Sequence, residues 1–145
     1  YLIPDEFLPL LEGVLVGLNS DPVSTVQMML GSSYTAASPA HLKRWHMRRI
    51  AGVPTHVLRE TGLALLGGPD AVAYVAASSE YLKRRSCPVL AIYSDTGRAN
   101  LEETFLTDAR SQTLAWDGSG HWLHQERPDE FNNVVESWIA SLSGG

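Results

Sequence analysis

The residues most capable of chemistry stand in 117-DGSGHWLHQERPDEF-131, where His121 directly follows a Gly-Ser-Gly turn. An imidazole titrates at about pH 6.5, so it can take up or give back a proton near neutrality and is a candidate general base. Gly118 and Gly120 let the backbone bend sharply and bring the ring close to a reaction partner. On residue type alone, a solvated turn histidine without a task is an equally good reading. His124 is a second imidazole three residues on, read as rim packing or a hydrogen bond at a helix start. Glu126, Arg127, Pro128 and Asp129 read as a helix entry, with Pro128 fixing the approach and an acid in the first turn.

Other chemically capable groups point elsewhere. His41, His46 and His56 have acidic neighbours, but 41 and 46 are five apart on a predicted helix and project in different directions, so no metal site is expected. Lys43, Arg44, Arg48 and Arg49 read as a solvated basic face. Cys87 is the single cysteine, which excludes an intrachain disulfide and a Cys-x-x-Cys motif and fits a reduced, cytoplasmic compartment.

The elements that must position these residues follow from patterning. With 145 residues the chain can bury one core, and its net charge of −5 has the wrong sign for a general phosphate grip, so nucleic acid is not expected as a partner. No apolar run reaches the roughly 18 residues of a membrane helix, and no membrane partner is expected. From Ile3-Pro4-Asp5-Glu6 onward the apolar spacing is helical: Phe7 to Leu18, then a helix capped by Asp21-Pro22 and stopped by Gly31, then one opened by Ser38-Pro39 and ended at Gly52. Val53–Leu66 and Asp70–Arg85 continue the series. At Cys87 the grammar changes. The run 88-PVLAIY-93 reads as a strand buried on both faces, followed by a helix around Asn100–Asp108, a strand 112-QTLAW-116, the His121 turn and an amphipathic helix from Asp129 to Leu142. Strand, helix, strand, helix predicts an α/β arrangement. Two strands are too few for a stable parallel sheet, so both are expected to pair with strands from other residues. The chain opens on Tyr1, which points to a processed or partial chain.

The order of a helical block, then CPVLAIYSDTG, a helix, a short strand and GSGHWLHQERPDEFNNVVESWI resembles the C-terminal half of the α/β-hydrolase superfamily, over roughly residues 81 to 142. That resemblance implies an α/β fold class: the C-terminal part of an α/β-hydrolase-type parallel sheet (81–145) under a helical lid (1–80), incomplete by itself. It implies that His121 is the catalytic base and that Asp95, in 92-IYSDTGRAN-100, is the acid orienting it. Asp95 stands two places earlier than the acid usually does, and a turn-forming Asp before Thr-Gly is the competing reading. An acid upstream of residue 1 is a third. Trp45, Met28 and Met29 read first as core of the helical lid; a lid's inner face also shapes the pocket in this fold, so these three, with Trp122 beside the histidine, are the expected substrate-contacting residues.

The nucleophile is missing from the pattern. No Gly-x-Ser-x-Gly elbow occurs; Gly118-Ser119-Gly120 is the histidine turn, and Ser94 follows Ile92 where a small residue is needed. The expected function is therefore hydrolysis of a small, largely apolar ester or acyl substrate, without metal or cofactor, together with a nucleophile-bearing N-terminal half from the same precursor or a companion chain. Two alternatives stay open: a cofactor-free dioxygenase of the same fold, and a non-catalytic receptor or interaction subunit.

Overall fold

Asp21 shows how the helical part is punctuated. Its carboxylate accepts the Ser24 amide at 3.1 Å and Pro22 takes the first helical position, so the chain turns from one helix straight into the next. The computed structural model describes residues 8–68 and 71–143 and divides into two compact units, Tyr1–Ser33 with Ala40–Tyr81, and Tyr34–Pro39 with Leu82–Gly145.

The first unit is helical: α1 (Leu8–Ser20), α2 (Pro22–Gly31), α3 (Ala40–Ala51), α4 (Thr55–Leu66) and α5 (Val75–Leu82, whose last residue opens the second unit). Leu18 is fully buried, with Leu42, Leu58, Leu66, Ala73 and Tyr74 around the same core. The packing is close enough that a methyl group on Gly62 of α4 would lie 2.7 Å and 2.8 Å from the two Leu18 methyls. Tyr74 donates its hydroxyl to the Leu66 carbonyl at 2.5 Å, so the buried phenol is satisfied. The expected start at Asp5 and Glu6, and the helix start at Asp70, lie outside the described residues.

The second unit runs β1 (Leu90–Tyr93), α6 (Thr96–Glu103), β2 (Gln112–Ala115), α7 (Leu123–Glu126) and α8 (Pro128–Leu142). β1 and β2 are parallel, Leu90 opposite Gln112 through Tyr93 opposite Ala115, and α6 forms the crossover against both. Beneath α6 the Tyr93 hydroxyl donates to Glu102 Oε2 at 3.0 Å and Arg85 Nη2 to Glu102 Oε1 at 2.6 Å. Burial first, then the Glu102 charge, pushes the Tyr93 phenol far above its ordinary range and keeps it protonated.

The expected α/β-hydrolase-type sheet is not what forms. The structure is 60% helix and 7% strand, with one two-stranded parallel sheet, and is a predominantly helical chain. The reason lies in how little of the two apolar runs enters a ladder. Only four residues of each pair, every position of β1 stays half-exposed, and Gln112 and Ala115 at the ends of β2 are open to water. Among the described residues each strand's neighbour is the other strand alone. Helix boundaries shift as well. α6 begins at Thr96 rather than near Asn100 because Asp95 accepts the Arg98 amide at 2.8 Å and caps it.

Candidate functional site

His121 stands on the turn that follows β2, and that turn is held from several sides. Gly118 has φ +84°, a left-handed conformation that glycine adopts without steric cost. Its carbonyl accepts the Thr35 hydroxyl at 3.1 Å. The buried Gly120 amide donates to Glu126 Oε2 at 2.8 Å, and the other carboxylate oxygen, Oε1, accepts the Ser38 hydroxyl at 2.8 Å. The Ser38 oxygen in turn accepts the Thr35 amide at 3.0 Å. Ser38 was expected to open α3; its hydroxyl is committed to Glu126 and Thr35 instead. Five residues, Thr35, Ser38, Gly118, Gly120 and Glu126, thus close a polar ring around the histidine loop, a preorganised arrangement.

The His121 ring meets Trp122 edge-on, centroids 5.1 Å apart at 90°, and Trp122 stacks on Tyr34 at 4.9 Å. By area His121 is exposed, yet enough protein surrounds the ring that burial, followed by the nearby Arg98 cation, holds its pKa below the ordinary value of 6.5; Glu126 opposes this. The imidazole is therefore neutral at neutral pH, the form that accepts a proton. His124 is exposed and tilts against Phe131 at 5.7 Å.

Asp95 and His121 are not joined: among the described residues no hydrogen bond or ion pair links them. The Asp95 carboxylate caps α6, with Arg98 Nε 3.6 Å from Oδ2. Asp117, the acid nearest in sequence to the turn, is also occupied, accepting the Thr96 amide at 3.0 Å and its hydroxyl at 2.8 Å. Ser94 is half-buried at the β1 end. Trp45, Met28 and Met29 belong to the first unit, where Trp45 (47%) and Met28 (64%) are exposed, Met29 is half-buried, and Arg49 lies 4.8 Å over the Trp45 ring. Trp122 belongs to the second unit. A shallow groove of about 490 Å³ runs between β2 and α8, lined by Leu114, Val134, Ser137 and Trp138 among others; none of the expected site residues lines it. Of the other histidines, His46 is buried in α3 while His41 and His56 are exposed, and among the described residues no three potential metal ligands converge.

The supports that residue patterning missed are Thr35 and Ser38. They are 83 and 88 residues from the groups they hold, so no local signal could have found them. Glu126 was visible only as part of a helix entry. Comparison with protein-family models, with curated proteins and with solved structures yields no match.

Proposed function

We propose that the second unit supplies a general base, His121, for hydrolysis of a small, largely apolar ester or acyl substrate, and that the nucleophile comes from a segment outside these residues. What supports this reading is a neutral imidazole held on a braced turn at the end of a parallel strand: Glu126 fixes the Gly120 amide while burial and Arg98 keep the ring unprotonated. A base carried on a loop held in this way keeps its position, which is the use of preorganisation. No metal or cofactor takes part. A cytoplasmic setting goes with it, supported by the free, exposed thiol of Cys87. Turnover of a p-nitrophenyl ester series by the chain together with its nucleophile-bearing segment, compared with His121→Ala, is the test.

The commitment of Asp95 to its helix cap favours a second reading, a non-catalytic subunit that binds a small molecule. Ligand binding without turnover, unaffected by His121→Ala, would select it.

A further inference from the structure

Between α2 and α3 the chain makes a short excursion. It leaves the helical unit after Ser33, contributes Tyr34–Pro39 to the second unit, and returns at Ala40, the first residue of α3. The excursion closes on itself as a turn, the Ser38 amide donating to the Thr35 carbonyl at 3.1 Å. Its two hydroxyls each work in two directions. Thr35 Oγ1 accepts the Ala37 amide at 3.2 Å and Ser38 Oγ accepts the Thr35 amide at 3.0 Å, so both oxygens are held by their own turn while their protons point outward. Those protons reach the Gly118 carbonyl ahead of His121 and the Glu126 carboxylate behind it, and the Tyr34 ring stacks on Trp122 in between. A connection that only joined two helices would leave these groups to water.

We infer that segment 34–39 is a coupling clip, through which the start of α3 sets the position of the His121 turn. Ser38 is separated from α3 by Pro39 alone, whose ring fixes φ at about −65°, so Ser38 has little freedom to stay behind when the first turn of α3 shifts. Closed by its own hydrogen bonds, the turn passes a displacement on rather than absorbing it. The receiving end is narrow. Glu126 holds both Ser38 and the buried Gly120 amide, so moving Ser38 frees the carboxylate that fixes the residue directly before His121. Anything that orders or loosens α3 therefore acts on the histidine turn without touching it. The coupling rests on these bonds alone; only its effect on turnover rests on His121 being the base.

Amide exchange followed by NMR on the chain reads the coupling at Gly120. Thr35→Val together with Ser38→Ala cuts the clip and should speed Gly120 exchange about tenfold. His41→Gly, at an exposed position in the first turn of α3, loosens that helix end without touching the core, and the Arg44 and Trp45 amides report that it has done so. In the intact chain His41→Gly should speed Gly120 exchange about fivefold. Once the clip is cut it should add nothing, which is complete non-additivity in the cycle. Gly120 exchange that ignores His41→Gly while Arg44 and Trp45 speed up, or that responds equally with the clip cut, overturns the inference. Turnover of the chain with its nucleophile-bearing segment separates the two readings. A cut clip that lowers kcat with KM unchanged supports both, whereas normal turnover beside faster Gly120 exchange removes His121 as the base and leaves the coupling standing.

Discussion

Glu126 and Gly120 face each other across the histidine turn, the carboxylate Oε2 accepting the glycine amide at 2.8 Å. The same carboxylate holds Ser38, so one side chain ties the loop before α7 to the segment 34–39.

Replacing Glu126 with Ala leaves the buried Gly120 donor without its acceptor and releases the Ser38 hydroxyl. The expected loss is about 1–3 kcal/mol of stability in the second unit, read by chemical denaturation. Glu126→Gln keeps one carbonyl acceptor and should lose less. Equal losses for the two variants would mean that the carboxylate charge, rather than the hydrogen bond to Gly120, braces the turn.

The buried Glu102 gives a second prediction. Its side chain is 6% exposed and is satisfied by Arg85 and Tyr93. Arg85→Met removes the countercharge and should cost roughly 3 kcal/mol or more, because the carboxylate remains buried. The double variant Arg85→Met with Glu102→Met should be more stable than Arg85→Met alone. Additive losses in a double-mutant cycle would show that the pair does not act as a unit.

In the first unit, Gly62→Ala drives a methyl to within 2.7 Å of the end of the Leu18 side chain, which is fully buried. A loss of about 1–3 kcal/mol is expected from overpacking, although alanine is the better helix former by about 1 kcal/mol. Thermal melts decide between them: a raised midpoint would show that α1 and α4 can separate at little cost.

What was legible in the sequence was local. Asp21-Pro22 announced a helix start and the structure places its cap there, because the capping atoms are three residues apart. Asp95 was legible as chemistry but ambiguous as to which: the same carboxylate suits an imidazole or a helix amide, and the amide three residues on was within reach at no entropic cost. The strands 88–93 and 112–116 were legible as strands. Their membership in a larger α/β sheet was an inference from apolar runs, and the helical spacing of most other apolar residues overruled it. The bracing of His121 by Thr35 and Ser38 was invisible, since contacts over 83 and 88 residues leave no periodic trace.

The depressed pKa of His121 has a signed consequence for stability. Between the lowered folded value and the ordinary 6.5, the unfolded chain binds more protons than the folded one, so folding stability rises with pH through that window. The contribution is fully present above pH 6.5 and is lost as pH falls through the window toward the folded pKa. An NMR titration of the His121 ring should give a midpoint below that of a histidine in an unfolded peptide. A midpoint at or above it would mean that the Glu126 charge outweighs burial and Arg98.

The same ring carries the catalytic prediction. A general base must be neutral to act, so an activity limited by His121 should hold through neutrality and decline only below pH 6.5, with the acid limb set by the lowered pKa. His121→Ala should leave folding nearly unchanged, since an exposed imidazole on a turn contributes little to the core. It should cost on the order of a thousandfold or more in turnover, as loss of a base that works jointly with a nucleophile does. His124→Ala is the control. Its ring lies exposed against Phe131, so its loss should trim stability slightly and leave the acid limb in place. Measured on the chain with its nucleophile-bearing segment, equal and small effects of the two substitutions would remove His121 as the base. A normal rate in His121→Ala with an unchanged acid limb would instead assign that limb to another group.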